Sequence, residues 1–180
     1  MRLSGKARVA GVLGWPVGHS RSPRLHGHWL ERYGIDGAYV PLAVRPEELP
    51  RALAGLGALG FAGCNLTIPH KEAALSLMAE CSEAARAIGA VNTVVVRDGR
   101  LFGDNSDGFG FLENLRAGAA GWRGEAGPAV VLGAGGAARA NRSGLGHSPC
   151  DSCAPRRARS WLPRSRHPSA AALGLGRGLG

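Results

Sequence analysis

Apolar and polar positions alternate between two periods along the first 120 residues, and the alternation itself outlines a fold. "ARVAGVLGW" (7–15) is an apolar, valine-containing run bounded by turn residues, which reads as a buried strand. Ser22-Pro23 next offers an N-cap and a first-turn proline, and Leu25, Trp29 and Leu30 keep helical spacing until Gly34. "GAYVPLAV" (37–44) is a second strand. Pro46-Glu47-Glu48 opens a second helix with Leu49, Leu53 and Leu56 on one face. "GFAGCNLTI" (60–68) is a third strand that runs straight into a helix, with Pro69 at its first position and Ala74, Leu75 and Met78 leading towards Cys81.

Ser82 caps a short helix, and "GAVNTVVV" follows as a strand. Asp98-Gly99 is a two-residue hairpin signal with "RLFGD" as the returning strand. Asp107 then starts a helix, "DGFGFLENLRAG". Strands alternating with helices predict an α/β sheet covered on both faces. A second unit begins at "GPAVVLGAGGAARA" (127–140), an apolar strand leading into Gly133-x-Gly135-Gly136 and a helix. Such a turn lets backbone N–H groups approach a pyrophosphate.

Beyond Ala140 the pattern stops. Residues 141–180 contain no Val, Ile, Phe, Tyr, Thr, Met, Lys, Glu or Gln. A segment so poor in β-branched and aromatic residues cannot supply the next strand of a βαβ unit. It is expected to be disordered, and its bias is that of GC-rich codons read out of frame. The expected organisation is therefore a first domain at 1–117, the start of a Rossmann-type domain at 118–140, and a tail at 141–180.

Composition changes this picture in one respect. The net charge of +9 suggests nucleic acid until it is located. Seven arginines against the single acid Asp151 lie in 141–180, whereas 1–140 holds 15 Lys/Arg against 12 Asp/Glu. The body is nearly balanced, so no nucleic-acid partner is expected. No apolar run approaches the ~20 residues of a membrane span, and the first residues read as a strand and not a signal peptide, so a cytoplasmic protein is expected. Cys150-x-x-Cys153 has neither a strand–helix context nor a second ligand pair, and no metal is expected.

The candidate chemistry lies where strands end. "NLTIPHKEA" (65–73) places Lys71 in a helix's first turn, where unpaired N–H groups favour anions and a cation costs about 0.3–1 kcal/mol. "GHSRSP" (18–23) sets Ser20 and Ser22 ahead of a helix N-terminus, able to grip a carboxylate by hydroxyl and N–H groups. Asn92 is an amide in an otherwise apolar strand. Asn105 and Asp107 stand at a hairpin exit. Taken singly, each has a plain structural explanation as a surface lysine, a cap, a satisfied amide or a turn.

Together, "GxPxxHSxSPxxH", "NLTIPHK", "GAVNT", "DNSDGxG" and "GAGGAARA" resemble the shikimate dehydrogenase family in order and spacing over residues 9–140. The resemblance implies an open α/β sandwich with a mixed sheet that binds substrate, followed here by only the first strand and glycine-rich turn of a Rossmann-type domain. It implies NADP-dependent, reversible reduction of 3-dehydroshikimate to shikimate on the route to chorismate, with a homodimer as candidate assembly. By matching positions, Ser20 and Ser22 would hold the substrate carboxylate, and Thr67, Asn92 and Asp107 its ring hydroxyls. Lys71 and Asp107 would form the catalytic pair, also in contact with substrate. Gly133, Ala134, Gly135, Gly136 and Ala137 would line the pyrophosphate. Quinate for shikimate, and NAD for NADP, stay open, as does a stand-alone shikimate-binding module without redox activity.

The chain departs from the family at Gly27, where Asn is usual, and at Ser106, where Thr is usual. Asn141-Arg142-Ser143 resembles the family's reader of the NADP 2′-phosphate, but it follows the glycines too closely to be in place. Family members continue for roughly another hundred residues.

Overall fold

The computed structural model describes residues 3–123, 131 and 135–144. The strand expected at 127–132 (Val131 apart), the Gly133-Ala134 pair and residues 145–180 lie outside the described residues.

Six strands form one mixed sheet. They are β1 (Arg8–Gly14), β2 (Gly37–Ala43), β3 (Phe61–Leu66), β4 (Glu80–Cys81), β5 (Thr93–Arg97) and β6 (Arg100–Asp104), in the order β2-β1-β3-β5-β6-β4. β1, β2 and β3 are mutually parallel, β5 is antiparallel to β3, and β6 turns back antiparallel to β5. The parallel pairs are joined through α1 (Ser22–Arg32) and α2 (Leu49–Ala58). The tight return between β5 and β6 is made by Asp98 and Gly99, both at positive φ (50° and 71°). A two-residue hairpin with that backbone matches the twist of its strands and favours an Asp-Gly sequence.

Register divides the sheet into two chemically different faces. Leu13, Cys64, Leu66 and Val94 join Leu49, Leu53 and Leu56 of α2 in one buried cluster, the apolar stripe that the leucine spacing predicted. On the reverse face Ala10 lies beside Tyr39, and Val12 and Thr93 beside Asn65. α1 covers part of that face, with the His26 ring stacked on Tyr39 at 4.0 Å. A cavity of about 410 Å³ opens between them, bordered by Trp29, Tyr39, Asn65 and Thr93.

Two expected elements differ from those observed. The helix expected from Pro69 to Cys81 is a single α-turn, α3 (His70–Ala73), followed by a 3-10 turn (Ala74–Leu77) and the two-residue β4. Pro69 precedes α3 instead of opening it. The later start follows because the chain stays tied to β1 after β3 ends, through Thr67 N–H to the Leu13 carbonyl (2.9 Å) and Trp15 N–H to the Ile68 carbonyl (3.0 Å). A helix cannot start until that ladder is released. Ser22, expected as the cap of α1, is its first helical residue, and Arg21 flanks it without a side-chain cap.

Two further helices follow, α4 (Glu83–Ile88) and α5 (Asp107–Gly118). Ser82 caps α4 as expected, accepting from Ala85 N–H at 3.1 Å. The last described helix, α6 (Gly136–Gly144), packs on α5 and α4. It continues four residues past Ala140, the expected end of the ordered pattern, and Asn141 and Arg142 lie within it. The approach to α5 is close: a Cβ on Gly108 would stand 2.8 Å from the Ala140 carbonyl oxygen.

Candidate functional site

Topology brings the predicted residues to one edge of the sheet. β1 and β3 run in parallel and end side by side, with Leu13 opposite Leu66. Ser20 and Ser22 follow β1, while Thr67 and Lys71 follow β3. β5 runs the other way, so its start is at this same edge, where Thr93 faces Asn65. Asn92 immediately precedes it. β6 reverses again and ends there, Asp104 opposite Thr93, which delivers Asp107. The chain leaves β1 for β2 on one side and leaves β3 for β4 on the other. Such a switch point at strand C-termini is where open α/β sheets bind ligands.

Lys71 Nζ donates to Asp107 Oδ2 at 2.6 Å, and both side chains are largely buried, 20% and 28% exposed. This contact answers the question its helix position raised. α3 has only four residues, and the lysine's partner is a carboxylate from the start of α5. The backbone is fixed too, since the Lys71 carbonyl accepts from Val91 N–H at 2.7 Å. On the neighbouring residue, the buried His70 ring meets the Val44 carbonyl through Nε2 at 2.8 Å. That bond anchors α3 to the chain after β2.

Asn92 is buried and satisfied on all sides. Its Nδ2 donates to Asp107 Oδ1 (2.7 Å) and Ser106 Oγ (3.1 Å), and its Oδ1 accepts from Ser106 N–H (3.1 Å) and Thr93 Oγ1 (2.8 Å). Asn105 is buried as well, with Nδ2 on the Ala90 carbonyl at 2.9 Å and Oδ1 accepting from Asp107 N–H at 3.0 Å. It therefore fixes the entry to α5. Ser20 Oγ accepts from Ser22 N–H at 3.3 Å, so Ser20 performs the capping expected of Ser22. Both serines are partly exposed. Thr67 is half-buried at the end of the β1–β3 ladder.

Burial pushes the Tyr39 phenol up to about 12, with Cys64 adding to the rise and the Ser22 hydroxyl opposing it. Tyr39 thus adjoins the serine end of the site, and its hydroxyl donates to Asn65 Oδ1 at 2.7 Å. Burial likewise raises the Cys64 thiol to about 12 and lowers His26. Tyr39, Asn65, Thr93 and Ser106 were not singled out from the sequence. Asn65 carried the only available signal, an amide within an apolar strand.

Among the cofactor candidates, Gly135, Gly136 and Ala137 are described. Gly135 is open, with nothing within 4 Å of where a Cβ would be. A Cβ on Gly136 would stand 3.3 Å from Ala90 Cβ and 3.7 Å from Lys71 Cβ and Cδ. The first turn of α6, whose N–H groups have no partners within the helix, therefore adjoins Lys71. This arrangement fits an anionic pyrophosphate. Among the described residues no cluster of His, Cys, Asp or Glu could hold a metal, and no helix is long and apolar enough to cross a membrane.

Residues 12–94 match the family described as shikimate dehydrogenase substrate binding domain. The chain is 69% identical over 149 residues to the shikimate dehydrogenase (NADP(+)) of Rhodospirillum rubrum, covering 82% of this chain and 53% of that one. In fold it is similar to shikimate dehydrogenase from Aquifex aeolicus (TM-score 0.76, 36% identity, 80% and 53% covered). It is also similar to the Thermus thermophilus shikimate 5-dehydrogenase in complex with NADP(H) and shikimate (TM-score 0.71, 48% identity, 77% and 51% covered). The chain spans about half the length of the curated relatives it matches.

Proposed function

We propose that this chain, whose residues 12–94 match a shikimate dehydrogenase substrate binding domain, binds shikimate and 3-dehydroshikimate at the edge where β1, β3 and β6 end. In this reading it supplies the acid–base residues for their NADP-dependent interconversion. The observation that carries the reading is the Lys71–Asp107 contact of 2.6 Å, with Asn92 on the other carboxylate oxygen.

Reducing a ketone requires a hydride at carbon and a proton at oxygen. When bound along Gly133–Ala137, NADPH supplies the hydride. Lys71 Nζ donates a hydrogen bond to the ketone oxygen, stabilises the charge that develops there and delivers the proton. In the reverse direction the same nitrogen takes the hydroxyl proton. Asp107 holds Lys71 in place and accepts from a ring hydroxyl. Asn92 and Thr67 orient the remaining hydroxyls, and Ser20 and Ser22 grip the carboxylate at the far end. The same reading places the chain in the cytoplasm as half of a homodimer, acting on a small molecule and not on nucleic acid. A shikimate-binding module without redox activity shares the ligand and differs only in turnover.

Titration calorimetry with shikimate tests the reading on this chain directly. Shikimate should bind, and the Ser20→Ala/Ser22→Ala double variant should lose about 10-fold or more in affinity, because hydrogen bonds to a charged group contribute about 1.5–3 kcal/mol each. Absence of any shikimate binding by the folded wild-type chain would overturn the assignment.

A further inference from the structure

Donors and acceptors around Asn92 are ordered by two partners that have no choice. The Asp107 carboxylate only accepts and the Ser106 N–H only donates. The Asn92 nitrogen must therefore face Asp107 and its oxygen must face Ser106 N–H and Thr93. The single Thr93 hydroxyl proton is used on that oxygen, at 2.8 Å. Whatever meets Thr93 from behind must then donate, and Asn65 Nδ2 does so at 3.2 Å. Asn65 is left with its oxygen outward, where the Tyr39 hydroxyl donates at 2.7 Å. All four links point one way, from Tyr39 through Asn65, Thr93 and Asn92 to Asp107. Lys71 closes on the second carboxylate oxygen.

We propose that Thr93 is a positioning residue whose hydroxyl, itself oriented by Asn65 and Tyr39, holds the Asn92 amide with its N–H groups towards Asp107 and the incoming ligand. This rests on the shikimate reading above. A ligand hydroxyl that reaches Asn92 has one replaceable partner to displace, the exposed Ser106 hydroxyl at 3.1 Å. The half-buried Thr93 link stays, so the amide meets the ligand already oriented and little ordering is left to be done on binding.

Two substitutions separate this role from simple packing. Thr93→Val keeps the β-branched shape and removes the hydroxyl, whereas Thr93→Ser keeps the hydroxyl and removes the methyl. Positioning predicts that Thr93→Val weakens shikimate binding by about fivefold to tenfold, the worth of one net hydrogen bond, and that Thr93→Ser stays within about twofold. A packing role predicts the opposite order, and that order would overturn the proposal. A second readout needs no ligand: solvent exchange of the Asn92 side-chain amide protons, followed by NMR. It should quicken about fivefold or more in Thr93→Val and stay unchanged in Thr93→Ser. Should the wild-type chain fail to bind shikimate, the functional reading falls, and amide exchange alone decides the positioning. Unchanged exchange in a folded Thr93→Val chain refutes it. If Thr93→Val does not fold, Tyr39→Phe, two links further back, is read in its place and must speed exchange in the same direction.

Discussion

A lysine in a first helical turn looked misplaced only while its partner was out of sight. Lys71 and Asp107 are 36 positions apart in sequence and 2.6 Å apart in space. The oddity of the lysine was legible in the sequence and its pairing with Asp107 was implied by the family resemblance; the contact itself required the fold. Ser20, Ser22 and Asp107 could be picked out because each stands at an element end where a polar side chain is useful, Asn92 as an amide in an apolar stretch, and Thr67 only through the family resemblance. Tyr39, Asn65 and Thr93 could not be, because a polar residue within a strand reveals its partner only once the register is known. Alkaline pH offers a test at this scale. Burial holds Tyr39 and Cys64 at about 12, against ordinary values of 10.0 and 9.0. From about pH 9 upward the unfolded chain sheds protons that the folded chain retains, so stability falls as pH rises. Tyr39→Phe removes the tyrosine's contribution, and its denaturation midpoint should decline less steeply above about pH 10 than that of the wild-type chain. Equal slopes would mean that Tyr39 titrates as freely in the folded chain as in the unfolded one.

Elements with local causes were legible. The Asp98-Gly99 turn, the Ser82 cap and the leucine stripe of α2 each depend on residues within a few positions of one another. Elements with distant causes were not. α3 begins only once a ladder to β1 is released, and it gives way to a 3-10 turn and to β4, which exists because Ala79 and Ser82 donate to the β6 carbonyls of Leu101 and Gly103. The α5–α6 crossing belongs to the second kind. Gly108 directly follows Asp107, and its missing side chain admits the Ala140 carbonyl. Gly108→Ala forces a contact of 2.8 Å to open. Helix propensity alone would favour the alanine by up to about 1 kcal/mol, whereas overpacking costs about 1–3 kcal/mol. The overpacking should win. Thermal denaturation should show a lowered midpoint, and amide exchange should quicken along α6 more than along β1 or β3. A midpoint that rises would show that the crossing has room, and that propensity decides.

At the scale of the whole molecule, the described residues supply more of the substrate side than of the cofactor side. Among the described residues every strand lies within 8–104, and all the proposed substrate residues converge on one edge of that sheet. On the cofactor side the described residues provide the first turn of α6 beside Lys71, and the chain spans about half of its relatives. Asn141 and Arg142, which resemble a phosphate reader in sequence, lie inside α6, close behind the glycines. Substrate recognition should therefore be separable from turnover. The test is a chimera in which the remaining half of the Rhodospirillum rubrum relative replaces this chain from α6 onward, a junction favoured by 69% identity over the shared 149 residues. The chimera should oxidise shikimate with NADP, and this chain should bind shikimate on its own. Within the chimera, Lys71→Ala should lower kcat by about 10²–10⁴-fold, the range for a positioned acid–base group. Shikimate affinity should change far less, because the proton is transferred only in the transition state and the serines and Asn92 still hold the ground state. Asp107→Ala added to Lys71→Ala should cost less than the sum of the two, since the pair acts as one unit. A chimera that binds both ligands and keeps near-wild-type turnover after Lys71→Ala would leave Lys71 as a partner of Asp107 and nothing more.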